Sequence, residues 1–170
     1  MLLKNLRPVS GFLFRVSKYL PRSILLLLYN SYVNSKLSYC LDSWGNAPHS
    51  HLNKILLFQK RIIRIINKKP IAFPTKQLFI SSNILKIDNM YAMKVLCKAH
   101  SAFHSHSIPT HSYPTRASSI NIPIPLFKST AGQRTEAYRE AVLWNSLPIE
   151  LRQITKIGQF RTALRHHLLA

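Results

Sequence analysis

The stretch Leu52–Lys69, LNKILLFQKRIIRIINKK, carries no acidic side chain and repeats apolar and cationic residues at helical spacing. Wound at about 100° per residue, Leu52, Ile55, Leu56, Ile62, Ile63 and Ile66 fall on one side. Asn53, Lys60, Arg61, Arg64, Asn67 and Lys68 gather on the other. A helix built this way buries one face and offers the second to a polyanion. It predicts an all-α protein, and the chain on either side continues the pattern.

Prolines punctuate the helices that precede it. Pro8 and Pro21 each stand before an apolar-periodic run and suit a first helical turn, which predicts helices over 9–19 and 21–33, with a third over 36–44. Gly45, Asn46 and Pro48 break the period before the basic helix, and Pro70 and Pro74 break it afterwards. Thr75 reads as the cap of a short helix ending at Ser81, and Asp88 as the cap of a longer one reaching His100.

Composition changes at Ser101. From there to Ser129, Ser, Thr, His and Pro displace the helical period, with a β-compatible piece at 119–122, so an irregular connector is expected. Helical spacing returns over 134–144, turns at Pro148 and ends in an amphipathic helix over 157–169. The expected architecture is a helical bundle with an irregular Ser/Pro/His-rich connector and a smaller C-terminal helical lobe. Its segments are 1–50, 51–103, 104–130 and 131–170.

The totals narrow the function. Over 170 residues, 46% hydrophobic, there are 24 Lys and Arg against 5 Asp and Glu, a formal charge of +19. The apolar content supports a core, while the cations outnumber any internal partners and must face outward. RNA or DNA is the expected partner, with an anionic membrane surface as the runner-up. The longest apolar run, Ile24 to Tyr29, is far short of the ~20 residues a spanning helix needs, so no membrane insertion is expected. Cys40 and Cys97 lie far apart without CxxC spacing, which predicts reduced core thiols in an intracellular chain.

Catalytic constellations are missing. Phosphoryl transfer on paired metals needs clustered carboxylates, and the chain offers only Asp42, Asp88, Glu136, Glu140 and Glu150. Glu136 and Glu140 share a helix face beside Arg139, which reads as a solvated surface. No glycine-rich phosphate loop and no GxSxG elbow is present, so an enzyme is not expected. Cys97, His100, His104, His106 and His111 have spacings a zinc site could use, but no second thiol is near. The histidines of the Ser- and Pro-rich loop are read as adding charge at mildly acidic pH, and no metal and no cofactor is expected.

Further basic groups flank the central helix. Lys4, Arg7, Arg15, Lys18 and Arg22 are interleaved with Phe12, Phe14 and Tyr19, aromatics read as core. Near the end, Arg161, Arg165, His166 and His167 oppose Phe160, Leu164 and Leu168. Lys60, Arg61, Arg64, Lys68, Arg15, Lys18, Arg22, Arg161 and Arg165 form the candidate nucleic-acid-binding set, acting on phosphates with little sequence preference.

An ordered series of short motifs runs through the chain: LPRSILLLLYNSYVNSKLSYCLDSWGN, LNKILLFQKRIIRII, HSYPTR, STAGQR, LWNSLP and FRTALRHHLL. Together they resemble the region downstream of the polymerase core in reverse transcriptases of non-LTR (LINE-type, jockey-like) retrotransposons. The resemblance covers nearly the whole chain and rests on Tyr39, Trp44, Gly45, Gln59, Lys60, Arg61, Arg64, Trp144, Asn145, Leu147 and Pro148. It implies thumb-like helices over 3–44, then an accessory region over 52–169. Tyr39, Trp44, Trp144, Leu147 and Pro148 would serve packing and turns, and Lys60, Arg61 and Arg64 would meet phosphates.

Nothing in the chain matches the fingers, the palm with its paired aspartates, or the endonuclease of that family. The resemblance therefore implies a non-catalytic C-terminal fragment that binds template-primer or element RNA, with the upstream polymerase domain as a possible partner. Nuclear localisation would follow if the parent function is retained. The alternatives are an inert remnant of a decayed element and a basic helical binder of anionic membranes.

Overall fold

The computed structural model describes residues 2–105 and 121–170, and every regular element among them is helical. The chain is all-α. It resolves into two compact units, Met1–Met90 with Leu169 and Tyr91–Leu168 with Ala170.

In the first unit, α1 (Leu2–Val16) runs through Pro8 instead of starting after it. Leu6, Ser10, Leu13 and Ser17 form one buried stripe at helical spacing, while Pro8 lies on the exposed side. An internal proline costs about 3 kcal/mol, and burial of two leucines at roughly 2 kcal/mol each offsets it. The buried serines are satisfied locally, Ser10 Oγ donating to the Arg7 carbonyl at 2.9 Å and Ser17 Oγ to that of Phe14 at 2.7 Å. Phe12, Phe14 and Tyr19 are exposed, so the core role expected for these aromatics does not hold.

α2 (Arg22–Tyr29) follows Pro21 and passes through a π-helical turn, Asn30–Asn34, into α3 (Ser35–Ser38). The turn has a sequence cause. Leu25, Tyr29, Val33 and Leu37 are all buried and recur every fourth residue. On a regular α-helix that spacing drifts ~40° per step, leaving Leu37 about 120° from Leu25. One extra residue per turn rotates it back by about 100°.

The helix expected over 36–44 is interrupted. Tyr39 is extended and Cys40 left-handed (φ 47°) before α4 (Leu41–Trp44), and Trp44 Nε1 donates to the Tyr39 carbonyl at 2.9 Å across the break. Tyr39 therefore supplies a turn, but its ring is 76% exposed and does not pack. Cys40 is exposed as well, contrary to the core role its residue type suggested.

α5 (His49–Ile66) is the packing centre of this unit, meeting α1, α2 and α6 (Lys76–Ser81). Leu52, Ile55, Ile62, Ile63 and Ile66 are buried as the pattern demands, and Gln59 is buried among them at 0% exposure. Its amide is fully used. Gln59 Nε2 donates to Tyr29 Oη at 3.1 Å and to the Leu85 carbonyl at 3.3 Å, and Oε1 accepts the Ile87 N–H at 2.9 Å.

That last bond explains where α7 (Ile87–His104) begins. Asp88 lies inside the first turn instead of capping it, because Gln59 satisfies the free N–H of Ile87 from another helix. Thr75 does occupy the cap position of α6, without a side-chain bond.

In the second unit, α7 packs with α8 (Glu136–Asn145), α9 (Ile149–Arg152) and α10 (Ile157–Leu169) around Leu96, Ala99, Trp144, Leu147, Phe160 and Leu164. Cys97 is half-buried against this core. α7 extends beyond Ser101, where the connector was expected to start, because Phe103 joins the ring cluster 5.0 Å from Trp144. Packing of one aromatic outweighs the weak helical preference of the residues beside it.

Residues 121–128 are irregular, as expected, and the β-compatible stretch makes no strand where it is described. Instead Asn145 stands in for one. Its Oδ1 accepts the Ile122 N–H at 2.9 Å and its Nδ2 donates to the Ile122 carbonyl at 2.8 Å. The STAGQR motif closes into a 3-10 turn, Gly132–Arg134. A Cβ on Gly132 would sit 2.8 Å from the Phe127 ring, so only glycine fits beneath it. No helix among the described residues is long and apolar enough to cross a membrane.

Candidate nucleic-acid interface

Beside the packed face of α5, its C-terminal half and the end of α1 enclose a groove of about 1180 Å³. Phe14, Ser17 and Lys18 line it from one side, and Leu57, Arg61, Arg64, Ile65 and Lys68 from the other. Lys69, Pro70 and Ile71 complete the end. Lys18, Arg61, Arg64, Lys68 and Lys69 thus face one space with no carboxylate among the lining residues. In residues 1–90 only Asp42 and Asp88 are acidic, so this field is poorly compensated.

Two of the cations are held in place. Arg64 Nε donates to the Phe73 carbonyl at 2.9 Å, which orients the guanidinium plane, and Lys69 Nζ lies 5.1 Å from the centre of the Phe73 ring. Helix C-termini carry only about half a negative elementary charge. That is too little to repel an anion against several full positive charges, so the groove favours anions overall.

Lys68 shows how α5 ends. Lys69 N–H bonds the Arg64 carbonyl at 2.9 Å and Lys68 N–H that of Ile65 at 3.1 Å, the reciprocal pair of a Schellman motif. The motif places Lys68 at φ 52°, where glycine is the usual occupant. A non-glycine residue there costs about 1 kcal/mol, retained at a position that puts an ammonium group on the groove. Lys68→Gly is expected to raise stability by about 1 kcal/mol while weakening anion binding. Thermal melts and a polyanion titration of the same variant check both halves, and a variant that gains neither stability nor weaker binding contradicts this account.

Other candidates are placed elsewhere. Arg22 Nε donates to Asn67 Oδ1 at 3.0 Å, and its Nη2 to the Ser81 carbonyl at 2.9 Å and Ser82 Oγ at 3.0 Å. It ties the start of α2 to the ends of α5 and α6, a structural task that its charge pattern concealed. Arg15 sits in the last turn of α1, where a cation offsets the helix dipole, and it does not line the groove. Lys60 is also outside the lining set. Arg161 and Arg165 belong to α10 in the second unit. Sequence reasoning missed Lys69, although the NKKP run that ends the basic helix carried the signal.

The chain matches no family model, no curated protein and no solved structure.

Geometry instead assigns the motif residues local tasks. Trp144 is fully buried, Leu147 lies in the same core, and Pro148 precedes α9 at its cap. Asn145 holds Ile122 by its backbone and uses both ends of its amide internally. Trp44 and buried Gly45 form the turn before α5. HSYPTR lies outside the described residues.

His100 is buried, stacked 4.3 Å from Phe160, with Nε2 2.6 Å from the Ile154 carbonyl. Among the described residues no three His, Cys, Asp or Glu side chains gather to hold a metal, and His106 and His111 fall outside them. Lys98 pairs with Glu136 at the surface, and burial, reinforced by Glu136 and opposed by Lys98, holds the Glu140 carboxyl above its ordinary range. The Lys98–Glu136 ion pair bridges helices α7 and α8.

Proposed function

We propose that this protein binds nucleic acid through the groove between α1 and α5 and performs no chemistry on it. The supporting observation is the convergence of Lys18, Arg61, Arg64, Lys68 and Lys69 on one space without a carboxylate in its lining. Such a set meets phosphates, which gives affinity with little sequence preference. The motif resemblance supports placing the chain with the post-polymerase region of non-LTR retrotransposon reverse transcriptases, where holding RNA or DNA near a polymerase is the corresponding task.

The experiment is a titration of RNA and DNA at increasing salt. With about five phosphates neutralised, affinity is expected to fall on the order of a hundredfold between about 50 and 200 mM salt. Binding that does not weaken over that range overturns the reading.

A second reading draws on Phe12, Leu27 and Tyr32 on the first helices and Tyr39 in the break that follows them, all large side chains exposed to water. Such a surface suits a chain that has lost a packed neighbour, the condition of an inert remnant. Aggregation on expression without any nucleic-acid retention would favour this alternative.

A further inference from the structure

The geometry points to a single-stranded segment of nucleic acid, not a duplex, as the occupant of the α1–α5 groove. This rests on the nucleic-acid reading above and adds the form of the ligand. The lining sets cations beside apolar side chains that water reaches: Phe14 is 56% exposed, Leu57 56% and Ile71 88%. A duplex hides its base faces in its own stack and would present only phosphates, leaving that apolar surface wet. A single strand presents both chemistries at once, phosphates for Arg61 and Lys68 and base faces for Phe14 and Ile71.

A volume of about 1180 Å³ exceeds the roughly 300–1,000 Å³ of ordinary small-molecule clefts, and its charge suits a ligand with repeated anions. An anionic bilayer fits less well, because membrane-lying helices insert a continuous apolar face. The apolar face of α5 is already consumed by Ile62, Ile63 and Ile66 in the core.

The test uses the full chain and fluorescence anisotropy at one fixed salt concentration. Oligouridylate and oligothymidylate serve as separate single-stranded arms, a duplex of equal length as the third, and phosphatidylserine vesicles as the fourth. Either single strand is expected to bind more tightly than the duplex. Phe14→Ala and Ile71→Ser are each expected to weaken single-strand binding about fivefold or more, and to change duplex binding less than about twofold. Both side chains are solvent-exposed, so these variants fold, which a thermal melt verifies.

Duplex binding as tight as that of both single strands overturns the inference while leaving nucleic-acid binding standing. So does unchanged single-strand affinity in both variants. Binding to vesicles with no oligonucleotide bound in any arm removes the nucleic-acid reading itself.

Discussion

Gln59→Leu is expected to destabilise the first unit by about 3 kcal/mol, a large effect for a substitution that keeps the side chain's size and increases its apolarity. The reason is what the amide leaves behind. The Ile87 N–H, the Leu85 carbonyl and the Tyr29 hydroxyl all bond to Gln59, and a buried polar group stripped of its partner costs about 1–3 kcal/mol. Partial relaxation keeps the sum below the largest total those figures allow.

Urea denaturation followed by circular dichroism gives the size of the loss, and hydrogen exchange at the Ile87 amide gives its location. A loss under about 1 kcal/mol with Ile87 still protected would sink the claim. Alkaline titration supplies an independent reading. Burial pushes the Tyr29 hydroxyl up to about 12, and the bond from Gln59 pulls it back only in part. Because the folded value is raised, the contribution is intact below about pH 10 and is lost as pH climbs toward 12. Tyr29→Phe should flatten that alkaline decline relative to the parent chain.

In the second unit the largest expected loss comes from Trp144→Ala, about 3–5 kcal/mol. Trp144 is fully buried, with ring centres of Phe103, Phe160 and His100 at 5.0, 6.0 and 6.3 Å. Removing the indole opens a cavity those rigid rings cannot close. The neighbouring Asn145 also loses the packing that aims it at Ile122, so exchange at the Ile122 amide should accelerate together with the fall in stability. Chemical denaturation compared with Trp144→Phe, which retains most of the ring, checks the assignment. Equal stability of the alanine variant and the parent would show that Trp144 is not central to this core.

Periodicity carried most of the fold. The buried face of α5 and the whole span of α10 follow from apolar spacing, and the Gly45–Pro48 break lies where α5 is about to start. What local pattern could not show was partnership across the sequence. Gln59 caps a helix 28 residues away, Arg22 reaches Ser81 and Ser82, and Asn145 pairs with Ile122. Each polar side chain reads locally as surface, and only tertiary geometry reveals the backbone group it satisfies.

The candidate interface divides the same way. Arg61, Arg64 and Lys68 are visible on one helix face, but Lys18 joins them only because α1 packs on α5. Arg152 marks the limit of charge as a guide: it lies buried and donates to Asn121 Oδ1. Phe14 erred in the opposite sense, since an aromatic among apolar neighbours suggests a core while its position on α1 turns it toward the groove.

The π turn at Asn30–Asn34 gives residue number a physical meaning. Leu25 and Leu37 share a core because the turn absorbs one residue that is surplus to a regular helix. A deletion of one exposed position there removes the surplus: Leu25 and Leu37 then stand eleven residues apart, about 20° out of phase on a regular helix, and the core face survives without the π turn. An insertion has no such outlet: one more residue adds about 100° between Leu25 and Leu37 and turns everything after it away from the core, so this interval tolerates loss of a residue better than gain.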